Sequence, residues 1–89
     1  MDPEMFLNAG NDISYVVEQA NKLPVMSSFV FNFKGRQYWM SHETSNWYRI
    51  GSSKSQSGIQ CNINTQSEIT ESLIQDALDR IIIQEVHES

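Results

Sequence analysis

Residues 25–50 constrain the fold most, because they form a run of three predicted β-strands with large apolar side chains on both faces. The first strand has phenylalanine at positions 29, 31 and 33, which is the two-residue period of a strand. Tyr38, Trp39 and Met40 form the centre of the second strand, and residues 47–50 form the third. A sheet in a small protein usually needs only one apolar face. The second face therefore requires a helix layer or a partner to cover it.

The turn between the first two of these strands sets their pairing. A two-residue turn at Lys34-Gly35 makes Phe29 face Met40 across an antiparallel hairpin. A three-residue loop with a bulge at Gly35 is the alternative, and it would make Phe29 face Trp39.

The polar segment 42–46 sets the pairing of the second strand with the third. If His42 faces Trp47, then Trp39 faces Ile50, and the two tryptophans lie on opposite faces of the sheet. The predicted core face then consists of Phe29, Phe31, Phe33, Tyr38, Met40 and Trp47. The opposite face consists of Val30, Trp39, Tyr48 and Ile50.

Two helices are predicted before the sheet. Asp2-Pro3-Glu4 resembles a helix start, with a capping Asp and a Pro at the first helical position, and Gly10 would end this short helix. Asn11 or Asp12 would cap a second helix, which ends before Pro24. Its apolar stripe has helical spacing and consists of Ile13, Val16, Val17, Ala20 and Leu23.

Beyond the third strand the chain first becomes rich in Gly and Ser. Residues 51–58 predict a flexible loop, which is either simply mobile or closes over a ligand. The alternation of Ile59, Cys61 and Ile63 predicts a fourth strand.

A long C-terminal helix is predicted to follow. Thr65 and Glu68 match the capping box that begins such a helix. The apolar stripe is regular as far as Arg80, but Ile83 and Val86 fall on the polar side. Residues 80–86 are therefore either helix or an added strand, and helix is favoured.

These elements predict one α+β domain over residues 1–89. It comprises a three- to four-stranded antiparallel sheet (a meander) with an N-terminal helix and a long C-terminal helix packed on it. Cys61 is the only cysteine and cannot form an internal disulfide, which favours a cytoplasmic protein. The first four residues are acidic rather than basic, unlike a signal peptide, and no apolar run is long enough to cross a membrane.

No catalytic or metal-binding pattern is present in the sequence. His42, Cys61 and His87 lack the close spacing of zinc ligands, and the four glycines are spread over turns rather than gathered in a phosphate loop. His42-Glu43 is predicted to be a turn pair exposed to water. We therefore expect a protein that is not an enzyme and that binds neither a cofactor nor a metal.

The leading functional hypothesis is protein binding, as a homodimer or as a docking subunit or inhibitor. Trp and Tyr are enriched at binding hot spots, and the face opposite the predicted core is more apolar than two helices on the other face require. The acidic C-terminal helix offers a second surface for a basic partner protein. The predicted partner-binding residues are Val30, Trp39, Tyr48, Ile50, Ile83 and Val86.

The alternative is binding of single-stranded nucleic acid. The net charge is −5 and the isoelectric point about 4.7, yet residues 22–54 contain five Lys or Arg residues and one Glu. Aromatic side chains on a basic sheet can stack on bases. The predicted nucleic-acid-binding residues are Lys34, Arg36, Tyr38, Trp47, Arg49 and Lys54. The low isoelectric point argues against this alternative.

Overall fold

A computed structural model describes residues 5–53 and 58–88 and shows an α+β fold with a five-stranded mixed sheet and two helices. In chain order the elements are β1 (Met5–Asn8), α1 (Ile13–Lys22), β2 (Ser28–Phe33), β3 (Arg36–Thr44), β4 (Trp47–Ser52), β5 (Gln60–Asn64) and α2 (Glu71–Glu88). The strands lie side by side in this same order. β1 is parallel to β2, and every other neighbouring pair is antiparallel. The α+β class is confirmed, whereas a purely antiparallel sheet of three or four strands is wrong.

The additional strand is β1, whose residues were predicted to be helical. Four residues are too few to sustain a helix in water, whereas pairing with β2 bonds their backbone groups directly. Leu7 packs against the core, and the backbone N–H of Ala9 donates to the carbonyl of Asn32 at 2.9 Å. α1 then serves as the crossover that a parallel strand pair requires. The predicted helix start at residues 2–4 lies outside the described residues.

α1 begins and ends where the sequence predicts. The Asp12 carboxylate accepts the backbone N–H of Ser14, so Asp12 is the N-cap. The side-chain hydrogen bond from Ser14 lowers the pKa of the Asp12 carboxyl. Val16 and Ala20 are fully buried, and the helix ends at Lys22 with Leu23 as its C-cap.

The β2–β3 hairpin has the predicted two-residue turn. Lys34 and Gly35 both have positive φ, 53° and 77°, as a type I′ turn requires. Phe29 therefore faces Met40, and the alternative with a bulge at Gly35 is wrong.

The β3–β4 pairing differs from the prediction by one residue. The register shifts between His42 and Thr44, so His42 faces Tyr48 and Met40 faces Ile50. The irregularity adds one residue on the β3 side, and a one-residue shift moves every side chain of a strand to the other face. Tyr48 and Ile50 consequently lie in the core, and Trp47 lies on the opposite face. The prediction that Trp39 and Trp47 lie on opposite faces is wrong.

The core lies between one face of the sheet, here called the inner face, and both helices. Its apolar strand residues are Phe29, Phe31, Phe33, Tyr38, Met40, Tyr48, Ile50 and Ile63, and all are buried. The helices contribute Val16, Ala20, Ile74, Ala77, Leu78 and Ile81 to the same cluster. Of the predicted core face, only Trp47 is misplaced. The opposite side of the sheet is here called the outer face, and it includes Phe6, Val30, Trp39, Trp47 and Arg49.

The segment between β5 and α2 is held extended by one side chain of α1. The Asn21 side chain accepts the backbone N–H of Ile69 at 2.8 Å and donates to the Ile69 carbonyl at 3.1 Å. Ile69 is buried, so the segment cannot turn into helix before Thr70, whose hydroxyl accepts the N–H of Leu73. The fourth predicted strand is confirmed as β5, but a helix start at Thr65 is wrong.

α2 continues through residues 80–86, so the helix favoured there is confirmed. Ile83 and Val86 are exposed on it, at 56% and 66% of their surface. Arg36 of β3 forms a 2.7 Å ion pair with Glu85 near the end of the helix. Within residues 5–53 and 58–88, no helix is apolar over enough of its length to cross a membrane.

Replacing Asn21 tests how the extended segment is anchored. Asn21→Ala leaves the N–H and C=O of Ile69 without their partner, and we expect the free energy of unfolding to fall by about 1–3 kcal/mol. The control is Lys22→Ala, which removes only an exposed ion pair with Glu18 and is expected to cost less than about 0.5 kcal/mol. Urea unfolding measures both, and equal losses in the two variants would contradict the anchoring role.

Candidate protein-binding surface

The outer face carries a row of apolar side chains that crosses three strands. Phe6 of β1 lies beside Val30 of β2, and Val30 lies beside Trp39 of β3. Phe6 is 57% exposed, while Val30 and Trp39 are half-buried. Within the described ranges, both helices pack on the inner face and neither covers this row. Phe6 was missed from the sequence because residues 5–7 were predicted to be helical, and β1 is a strand only through its pairing with β2.

The next position in that row is Gly51 of β4, and Trp39 lies over it. A Cβ atom at Gly51 would stand 2.7 Å from the Trp39 ring and 2.9 Å from the Ile59 carbonyl oxygen. Gly51 therefore gives the indole room to lie flat on the sheet. A glycine inside a strand commonly marks such a close approach, and the predicted loop start at Gly51 is wrong because Gly51 and Ser52 belong to β4.

Trp47 and Arg49 form a second feature of the outer face. They are two residues apart on β4, and the Arg49 guanidinium lies 5.1 Å from the centre of the Trp47 ring. Such a contact stabilises by about 0.5–1 kcal/mol at an exposed site. The Trp47 indole N–H is covered and has no acceptor among the described residues. A buried donor left unpaired costs about 1–3 kcal/mol.

The outer face as a whole is nearly neutral. Among its described strand residues, only Arg49 and Glu43 are charged, and the Ser41 hydroxyl donates to the Glu43 carboxylate. Three other cations are paired elsewhere, Lys22 with Glu18, Arg80 with Asp76 and Arg36 with Glu85. The acidic side of α2 lies across the sheet from the outer face.

The predicted partner-binding residues are therefore divided between different places. Val30 and Trp39 are on the outer face as expected. Tyr48 and Ile50 are buried on the inner face, so their placement on an exposed face is wrong, and the β3–β4 irregularity is the reason. Ile83 and Val86 are exposed on α2, away from the outer face.

The predicted nucleic-acid-binding residues are also dispersed. Tyr38 is buried in the core against Phe31, and Arg36 is paired with Glu85. Lys34 lies at the hairpin turn, with its ammonium 5.3 Å from the Phe33 ring. Trp47 and Arg49 alone are brought together on the outer face, and Lys54 lies outside the described residues.

His42 is part of the core rather than of an exposed turn, so that prediction is wrong. Its ring stacks on Tyr48 with 4.0 Å between centroids, and Nδ1 lies 2.7 Å from the Leu23 carbonyl oxygen. Because a carbonyl only accepts, Nδ1 carries the proton of this bond. Nε2 is buried and has no partner in the described structure. The backbone of His42 also bonds Met26 and Ser27, so this residue ties α1 and β2 to β3.

Cys61 is half-buried on the inner face, beside α2. Its thiol donates to the Ala77 carbonyl at 3.7 Å, and burial raises the pKa of the thiol. A raised pKa keeps the sulfur protonated and disfavours nucleophilic chemistry. No described hydrogen bond joins Cys61 to His42, and the described side chains include no group of three His, Cys, Asp or Glu placed to hold a metal ion.

A shallow cavity opens where the β2 and β3 ends meet the α1–β2 connection. Its volume is about 350 Å³, and it is lined by Met26, Ser27, Ser28, Ser41, His42 and Glu43. Met26 is 89% exposed and has a positive φ of 71°, an uncommon backbone conformation for a non-glycine residue. The Glu43 carboxylate is already occupied by Ser41, so the cavity contains no free acid–base pair.

Comparison with known proteins adds no functional information. No protein-family model, curated protein or solved structure matches the chain. The outer face is therefore interpreted from its own residues.

Adding a methyl group at Gly51 tests the contact that shapes the outer face. In Gly51→Ala the new Cβ would collide with the Trp39 ring and the Ile59 carbonyl, and we expect a loss of about 1–3 kcal/mol of unfolding free energy. The control is Gln60→Ala, at the exposed position that faces Gly51 on β5. A Gly51→Ala variant as stable as Gln60→Ala in urea would show that Trp39 does not lie on the glycine.

Proposed function

We propose that this protein is a small non-enzymatic protein-binding module and that a partner protein docks on its outer face. The observation that carries the proposal is the row of Phe6, Val30 and Trp39, which neither described helix covers, on a sheet face whose described residues are almost uncharged. An apolar surface of this kind on a folded domain marks an interaction site.

The geometry of the row suits an interaction hot spot. Trp39 lies against Gly51 and faces Val30 on the neighbouring strand, so its side chain would lose little freedom on binding. A rigid aromatic side chain within an apolar patch is the type of residue on which binding energy concentrates. Phe6 extends the patch toward the β1 edge.

Arg49 and Trp47 suggest what the partner provides beside its apolar residues. Arg49 has no carboxylate within ion-pairing distance in the described part of the chain. A carboxylate of the partner would pair with this guanidinium, and a partner oxygen near Trp47 would give the indole N–H an acceptor. The proposed partner surface is therefore apolar with an acidic side chain at its rim.

The acidic side of α2 is not part of the same interface, because α2 packs on the inner face of the sheet. This separation supplies a matched pair of variants. Phe6 on the outer face and Ile83 on α2 are equally exposed, at 57% and 56%. Phe6→Asp and Ile83→Asp thus place the same charge on opposite sides of the molecule at similar expected cost to the fold.

The proposed function is tested by titrating a purified partner against these two variants. The partner is first recovered by affinity capture on the wild-type protein, and its binding is then measured by calorimetry. We expect Phe6→Asp to weaken binding about tenfold or more, which corresponds to about 1.4 kcal/mol. Ile83→Asp is expected to change it less than about twofold. Loss of binding in Ile83→Asp alone, or recovery of no partner, would overturn the proposal.

Nucleic-acid binding is the second candidate, and only the stacked pair of Trp47 and Arg49 favours it. Among the described strand residues, Arg49 is the only cation on the outer face, and a single cation gives little attraction for phosphates. We expect no binding of labelled single-stranded oligonucleotides at low salt. A complex that forms at about 50 mM salt, weakens at about 200 mM and requires Arg49 would establish this function instead.

A further inference from the structure

The free edge of β5 has the properties of a strand that pairs with another strand. The backbone N–H of Ser52 donates to the Ile59 carbonyl, and the N–H of Thr65 donates to the Asn46 carbonyl. Residues 59 and 65 therefore direct their backbone groups toward β4. Because alternate residues of a strand bond on opposite sides, the N–H and C=O groups of Gln60, Asn62 and Asn64 point away from the sheet. No hydrogen bond to these groups occurs within the described residues.

This edge lacks the features that usually prevent pairing. Lys, Pro, inward-pointing charges and bulges protect most edge strands. Residues 59–67 contain no charged residue and no proline, and β5 pairs with β4 in continuous register. The strand is five residues long and regular, so its outward backbone groups form an open ladder.

A groove runs along the same edge on the inner side of the sheet. It has a volume of about 290 Å³ between β5 and α2, and its walls include Cys61, Ile63, Leu73, Asp76, Ala77 and Arg80. Its lining is mixed, because Asn62 and Asn64 lie beside the apolar side chains and the rim carries one exposed ion pair between Asp76 and Arg80. An added strand would thus bond the backbone groups at the edge and place its inner side chains in the groove beside it, as in β-strand addition.

We infer that the occupant of this edge is β5 of a second copy of this chain, paired antiparallel with Asn62 facing Asn62 of the other copy. Gln60 then faces Asn64 of that copy, and each facing pair of this set exchanges two backbone hydrogen bonds. Cys61 of one copy lies beside Ile63 of the other on the inner side. In this register, each apolar residue of β5 lies beside an apolar residue of the other copy, and each polar residue lies beside a polar one.

The charges along the groove match those of a second copy, because each chain contributes one Asp76 and one Arg80, which already neutralise each other within the chain. A two-fold axis through the Asn62 pair would make the two α2 helices antiparallel along the shared groove, so that Asp76 of one copy lies toward Arg80 of the other. Two-fold pairing is also closed, because it uses both β5 edges and leaves neither free for further growth. The inference does not rest on the proposed function, since it concerns the edge of the sheet and leaves the outer face open in both copies.

Asn62 offers a substitution that separates pairing from folding. Asn62→Pro removes an N–H that points away from β4, and proline is tolerated in edge strands at such positions. Asn62→Ala keeps the N–H and is the control. In sedimentation equilibrium, the wild type and Asn62→Ala should reach twice the 10.2 kDa chain mass. Asn62→Pro should remain at the chain mass, with its dissociation constant raised about tenfold or more.

Hydrogen exchange gives a second readout that needs no substitution. The amides of Gln60, Asn62 and Asn64 should be protected in the dimer and exchange rapidly on dilution, while those of Cys61 and Ile63 stay protected by β4 throughout. A wild-type chain that sediments at 10.2 kDa at all concentrations, or outward amides that are never protected, would overturn the inference.

Disulfide trapping tests the register. In a Cys61→Ser background, Asn62→Cys should form a disulfide-linked dimer, because directly facing Cα atoms are about 5.5 Å apart. Asn64→Cys in the same background is the control, since its counterpart lies about four residues away along the strands. Trapping through position 64 rather than 62 would contradict the proposed register.

Discussion

The pairing of His42 with Tyr48 determines which side chains this sheet presents to each side. The register shift between His42 and Thr44 places the two rings face to face at 4.0 Å on the inner face. Tyr48 and Ile50 then belong to the core, and Trp47 and Arg49 belong to the outer face. The same His42 bonds Leu23, Met26 and Ser27, so the end of α1 and the start of β2 are fixed by the residue that fixes the register.

This arrangement produces a molecule with two different sides. The inner side is covered by both helices, and its large side chains are buried. On the outer side, Phe6 is largely exposed, and the Trp47 indole N–H has no hydrogen-bond acceptor in the described structure. The β5 edge is a third, separate surface. There the backbone groups of Gln60, Asn62 and Asn64 point outward from the sheet, away from β4. Binding of a partner protein and pairing of two copies would therefore not compete for the same residues.

Periodicity and turn chemistry were sufficient to predict the elements whose signals are local. The stripe of α1, the Lys34-Gly35 turn and the alternation of β5 each depend on residues close in sequence, and each is confirmed. β1 was missed because its strand character depends on pairing with β2 across a crossover helix. The α2 start was misplaced because Asn21, more than forty residues away in sequence, holds Ile69 extended. Two of the six predicted partner-binding residues, Tyr48 and Ile50, were misplaced because β3 contains one added residue, and such a register shift leaves no local signal.

Nuclear Overhauser contacts between backbone protons test most directly whether β3 and β4 pair in the shifted register. Facing residues that do not exchange hydrogen bonds have Cα atoms about 4.5 Å apart, and their Hα protons give strong contacts. We expect Hα–Hα contacts from Met40 to Ile50 and from His42 to Tyr48. Contacts from Met40 to Arg49 and from His42 to Trp47 would contradict this register, because they would return Trp47 to the core and place Tyr48 and Ile50 on the outer face.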